Sequence, residues 1–244
     1  MFDLTLDGPV ARLRLNRPET RNAVPARDWA LLAHRCGEVA RSGARLLILS
    51  GTREAFCAGA DLDDFPAFAS DPKSTSAFRT LMRTGLDGLR ELPIATIAAV
   101  EGPCYGAGVA LAMACDIRVA GEGARFAITP AKLGISYPQE DVARLVALVG
   151  PGRASRLLLG AVTVEAREAA RIGLAEFSTA DVELLLEELA AAILANSGES
   201  IAVLKRAIRL AEGEAHDSEQ DRSFDQLFGS TGFRERLASL RPRP

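Results

Sequence analysis

The sequence predicts a single α/β unit, strand-rich over its first two-thirds and helical over its last third. Three observations predict it. Short apolar runs such as 46–50 and 94–100 have the length of buried strands, stretches such as 25–41 repeat apolar residues at helical spacing, and helices dominate from Asp141 onward. With 244 residues, 48% of them apolar, the chain can bury a full core as one unit rather than two small ones.

The elements follow in order. Residues 4–6 and 10–15 read as strands separated by the turn Asp7-Gly8-Pro9. Trp29, Leu32, Cys36 and Val39 recur at helical intervals within 25–41, and the buried strand 46–50 comes next. The Ser-, Asp- and Pro-containing stretch 67–75 reads as a mobile loop ahead of a helix near 78–89. Strands are expected at 94–100, 117–120 and 124–128. Helices are expected at 142–149, 153–159, 164–172, 182–196 and 200–212, with Gly150-Pro151-Gly152 and Gly173 as stops. Leu185, Leu189 and Ile193 form an apolar face that needs a surface to cover, a neighbouring subunit being one candidate.

Charge and composition exclude several functions. A net charge of −3 without a basic block argues against a nucleic-acid or anionic-membrane partner and leaves a small metabolite as the default ligand. There is no leader-like start and no apolar run of membrane-spanning length, so the chain reads as cytoplasmic. Cys36, Cys57, Cys104 and Cys115 show neither disulfide nor metal-ligand spacing, so no metal is expected. His34 lies in a helical stretch and His216 in an acidic run, and no G-x-S-x-G elbow is present, which disfavours a Ser-His-Asp hydrolase.

Two glycine-punctuated turns carry the chemistry. Ala55-Phe56-Cys57-Ala58-Gly59-Ala60-Asp61-Leu62 is one; Gly106-Ala107-Gly108, opening a long apolar helix, is the other. Turns this small let a ligand touch the backbone, and a helix starting near Gly108 aims the Ala107 N–H and its positive end at that ligand. A carbonyl held by the N–H groups of Ala60 and Ala107 would have its oxyanion stabilised, each donor contributing roughly 2.7–4 kcal/mol. Taken singly, either cluster reads first as merely a tight turn.

Residues 56–62 and 101–117 resemble the two signature blocks of the crotonase family, the enoyl-CoA hydratase/isomerase superfamily. The resemblance spans nearly the whole chain. Leu15-Asn16-Arg17-Pro18 with Asn22-Ala23 is similar to the family's N-terminal block, Pro130-Ala131-Lys132-Leu133-Gly134-Ile135 to its central loop, and 157–174 to the helical block after it. It implies a spiral of ββα units over residues 1–190, a helical trimerisation region over 191–244, a homotrimer or dimer of trimers, and an acyl-CoA substrate. Coenzyme A is then the substrate's carrier and no separate cofactor is needed. It further implies Ala60 and Ala107 as the oxyanion pair, and Arg21, Ala23, Ala58, Asp61 and Leu62 along the CoA. Phe228 would pack on the adenine, with Arg241 near the 3′-phosphate.

The departures from that pattern are informative. Where hydratases of the family carry two glutamates, this chain has Ala110 and Pro130 or Ala131, none of which moves a proton. Tyr137 stands where family decarboxylases acting on methylmalonyl-CoA place a tyrosine beside the departing carboxylate; it reads equally as a packing residue. Glu140 and Asp141 could supply a base for double-bond migration, or could cap the following helix. Asp61, Asp63 and Asp64 read as a solvated loop face and Asp116 as a brace for the next strand. Isomerisation or decarboxylation through a thioester enolate is therefore expected ahead of hydration. A residual hydratase using Glu140, or a silent acyl-CoA-binding subunit, is the alternative.

Overall fold

The computed structural model describes residues 1–212 together with Glu219, Thr231 and Glu235. His216, Phe228 and Arg241 lie outside the described residues. The chain opens with β1 (Phe2–Asp7) and β2 (Val10–Leu15), paired antiparallel, and α1 (Asp28–Arg41). Then come β3 (Leu46–Ser50), α2 (Phe65–Ser70), α3 (Pro72–Arg90), β4 (Ala95–Val100), β5 (Pro103–Tyr105) and α4 (Ala107–Ala114). β6 (Ile117–Gly121), β7 (Arg125–Ala127), α5 (Gln139–Val149), α6 (Pro151–Leu159) and β8 (Thr163–Glu165) follow. The described chain closes on α7 (Ala166–Ile172), β9 (Phe177–Thr179), α8 (Val182–Leu194) and α9 (Gly198–Glu212).

The strands form a six-stranded sheet in the order β1-β2-β3-β4-β6-β9 and a three-stranded one, β5-β7-β8. From β2 onward the large sheet is parallel, and both its faces are covered. In β3, Leu47 and Leu49 enter the main core with α1, α3 and α4, while Leu46 and Ile48 face α8 on the other side. That burial on both faces is why these strands read as unbroken apolar runs. The pattern β4-β5-α4 recurs as β6-β7-α5: a strand of the large sheet, a short strand of the small one, then a helix.

Several expectations need correction. The stretch 67–75 is not a loop: α2 and α3 fill it, broken only at Asp71, whose carboxylate caps α3 by accepting from the N–H groups of Lys73 (3.0 Å) and Ser74 (3.2 Å). Ser, Asp and Pro there are a helix start rather than a coil signal. Residues 164 and 165 belong to β8 rather than to the following helix, because Val164 pairs with Phe126 of β7 and is buried. The apolar face of α8 finds its surface within the chain, where Leu185, Leu189 and Ile193 pack half-buried over Leu46, Ile48, Ile97 and Val119. Asp116 does brace the sheet: its Oδ2 accepts from the Thr96 N–H (2.8 Å) and hydroxyl (2.9 Å) and pairs with Lys205 (2.8 Å).

Candidate active site

The two glycine turns are stitched together. The Cys57 N–H donates to Pro103 O (3.1 Å) and the Tyr105 N–H to Cys57 O (2.8 Å), a bridge that fixes the first turn against β5. On its other side Val24 N–H donates to Gly59 O (2.8 Å) and Asp61 N–H to Val24 O (3.0 Å). Successive peptide groups of an extended segment point in opposite directions, so the Ala60 N–H is turned away from Val24. No acceptor among the described residues takes it. Gly59 has φ +111°, and a Cβ there would stand 2.9 Å from Tyr105 O and 3.5 Å from Ala107 N, so only glycine brings the turns this close.

The second turn is built by Gly106, at φ +50° and ψ −116°. Its N–H donates to Ala127 O (2.9 Å), and its carbonyl accepts from the N–H groups of Val109 (3.0 Å) and Ala110 (3.4 Å). Ala107 is the first residue of α4, so its N–H has no intrahelical acceptor and lies at the positive end of a fully buried helix. Gly108 is required for the same close approach, because a Cβ on it would strike Cys57 O. The N–H groups of Ala60 and Ala107 thus sit on two turns that Gly59 and Gly108 allow to touch, neither taken up by a backbone acceptor among the described residues.

The positions expected for the hydratase glutamates carry no carboxylate. Ala110 is completely buried on α4, and Pro130 and Ala131 belong to a short 3-10 turn. What reaches the turn is Tyr137, whose hydroxyl donates to Gly106 O (3.0 Å). Burial, then the neighbouring Asp141 charge, pushes its phenol well above the ordinary value, so it remains a neutral O–H donor. Glu140 is exposed and lines a cleft of about 220 Å³ with Arg79, Arg83 and Pro138.

The chain matches the family model described as enoyl-CoA hydratase/isomerase over residues 6–237. It belongs to the enoyl-CoA hydratase/isomerase family. The YngF protein of Bacillus subtilis is 35% identical over 244 residues, 96% of this chain and 92% of that one. The ethylmalonyl-CoA decarboxylase of Xenopus tropicalis is 30% identical over 172 residues, 70% of this chain and 57% of that one. An enoyl-CoA hydratase/carnithine racemase from Magnetospirillum magneticum superposes with a TM-score of 0.93 at 27% identity, covering 98% of this chain and 92% of that one. The spiral of ββα units with a helical C-terminal region is the crotonase fold, and the chain is an enzyme of this family.

In this family member the residues implied for CoA lie on the first turn and on the N-terminal block bonded to it. Arg21, itself at φ +53°, accepts the Ala58 N–H at its carbonyl (2.9 Å); Ala23 is buried, Leu62 exposed. Asp61 is not on a solvated face: it is buried, ion-paired with Arg17, and accepts from the Asp63 N–H (3.1 Å). Arg17 holds the Asp61 carboxyl below the usual range. Asp64 accepts from the Ala26 N–H (2.7 Å). Asp141 does not cap α5 either. It is fully buried, its Oδ1 accepting from Arg83 (3.0 Å) and Arg144 (3.4 Å), and burial raises its pKa in spite of both cations. Arg83 and Arg144 carried no signal in the sequence, because an arginine on an amphipathic helix reads as solvated. Asn22, quoted only as part of a motif, is buried and bonds Ala55 O (2.8 Å) and the Arg17 N–H (2.8 Å), tying the N-terminal block to the first turn. His34 is exposed and pairs with Glu38 (3.5 Å). All four cysteines are free and buried, and among the described residues no His, Cys, Asp or Glu cluster could hold a metal. No described helix is long and apolar enough to cross a membrane.

Proposed function

We propose that this enzyme decarboxylates a malonyl-type acyl-CoA, holding the thioester enolate with the N–H groups of Ala60 and Ala107 and the departing carboxylate with Tyr137. The observation that carries the reading is the Tyr137 hydroxyl at the α4 turn, 3.0 Å from Gly106 O, beside a fully buried Ala110. Relatives in this family bear both hydratase and decarboxylase names, so the choice rests on the side chains present.

The bond from Cα to the carboxylate breaks, CO2 leaves, and the electron pair moves into the thioester to form the enolate. A proton from water is then taken up at Cα. No carboxylate base is needed, because loss of CO2 generates the enolate directly. Tyr137 can transfer its hydrogen bond from Gly106 O to the substrate without orphaning that carbonyl, which keeps the Val109 and Ala110 N–H groups. A neutral phenol orients the carboxylate yet stabilises this ground state less than a cation would, so less of the barrier is added back.

The CoA runs along Arg21, Ala23, Ala58, Asp61 and Leu62, with Phe228 on the adenine. Because the Asp61 side chain is engaged by Arg17, its contact is through the backbone. A cytoplasmic homotrimer or dimer of trimers, with residues 191–244 as the trimerisation region, completes the proposal; exposed Leu204 and Ile208 on α9 offer apolar surface for it.

Tyr137→Phe is expected to lower kcat for malonyl-type decarboxylation about tenfold to a hundredfold, the loss typical of a misoriented substrate group, with acyl-CoA affinity retained. Unchanged CO2 release would remove Tyr137 from the mechanism. Double-bond migration without CO2 release, abolished in Glu140→Gln, would replace this reading by an isomerase, and tight binding without turnover by a silent acyl-CoA carrier.

A further inference from the structure

Four charged side chains meet between α3 and α5. Arg83 Nη1 donates to Asp141 Oδ1 (3.0 Å), Arg144 Nη1 approaches the same oxygen (3.4 Å), and both arginines contact Asp87 Oδ1 at 3.0 Å. Asp141 is fully buried and its Oδ2 has no hydrogen-bond partner; Arg83 Nη2 and Arg144 Nε also lack one. Apolar side chains would join two helices at lower desolvation cost, so stability alone does not explain the cluster. Its place does. Asp141 lies in the first turn of α5, whose N–H groups at 141 and 142 donate to Pro138 O (3.1 and 3.0 Å), directly after Tyr137.

We infer that Asp141 is a positioning residue for Tyr137: gripped by Arg83 and Arg144, it fixes the 134–138 loop to α3 and so aims the phenol at the α4 turn. The inference rests on the reading of Tyr137 as the group that meets the substrate carboxylate. The clamp also sets the charge around the phenol. Tyr137 faces Asp141 of α5, Arg83 of α3, the Cys104 thiol of β5 and the backbone of Ala110 on α4; Asp141 and Cys104 raise its pKa and Arg83 lowers it. The aligned phenol therefore carries an electrostatic fingerprint of its clamp.

The chain has two tyrosines, Tyr105 and Tyr137, so 13C-labelled tyrosine gives two ring signals, assigned with Tyr105→Phe. In the wild type the Tyr137 signal should remain that of the neutral phenol beyond the ordinary pKa of about 10. Asp141→Asn should bring its titration to lower pH, and Arg83→Met should move it to higher pH. Opposite signs support the inference. Shifts of both variants towards the ordinary value mean that the cluster merely holds the fold together, and no shift in either means that it does not act on Tyr137; both outcomes overturn it. Should Asp141→Asn fail to fold, the sign in Arg83→Met decides alone. With substrate, Asp141→Asn should lower kcat about tenfold at unchanged KM. The NMR result needs no substrate, so a wild type that releases no CO2 defeats the functional reading while leaving the clamp to be judged on its own signal.

Discussion

Gly106 adopts φ +50° and ψ −116°, a conformation that a Cβ-bearing residue reaches only with strain. Nothing lies within 4 Å of a Cβ placed there, so Gly106→Ala meets no neighbour and acts through the backbone alone. Relaxation of that strain would swing the Ala107 N–H away from the oxyanion position proposed for it. The variant is expected to lose about 10²–10³-fold in kcat, as removal of an oxyanion donor does, while losing only about 1–3 kcal/mol of stability; turnover and thermal unfolding measured together check both. Single residues also decide what the site omits. Ala110 offers a small buried methyl and no carboxylate, and the α4 turn is met by the Tyr137 hydroxyl.

Elements bring these residues together, and the junctions are polar. The first turn is held on one side by β5 and on the other by the N-terminal block, through Asn22 and the Arg17–Asp61 pair. Because Arg17 depresses the Asp61 pKa, the pair contributes stability that is present above the unfolded carboxylate value of about 3.9 and is lost as pH falls through the lower folded value. Arg17→Met should therefore cost about 1 kcal/mol at pH 7, modest because Arg17 is partly exposed, and the deficit should close below about pH 4. Urea unfolding of both proteins at each pH checks it. These junctions were the least legible feature of the sequence. Apolar spacing foretold α1 and the buried strands because it records burial directly, whereas Arg17, the partner of Asp61, and Arg83, a partner of Asp141, lie 44 and 58 residues away and leave no local pattern. Local polarity even misled: 67–75 looked like coil because capping residues and coil residues are the same types.

For the molecule as a whole, the parallel sheet with both faces covered accounts for the apolar runs, and the glycine turns after β3 and β5 form the candidate site. The glycines of the candidate site stood out in the sequence because close approach or positive φ dictates glycine: Gly59 shows both, Gly106 the positive φ and Gly108 the close approach. The side-chain half was legible mainly as absence, at Ala110 and at Pro130 or Ala131. The position of Tyr137 against Gly106 and the burial of Asp141 came from packing among α3, α4 and α5, which no single segment encodes. Loss of the hydratase carboxylates with retention of the oxyanion donors predicts a specific division of activity. Side-by-side rates of CO2 release from methylmalonyl-CoA and of water addition to crotonyl-CoA, on the same preparation, decide it: decarboxylation well above the uncatalysed rate with hydration at background is the predicted result, and robust hydration without CO2 release would contradict it.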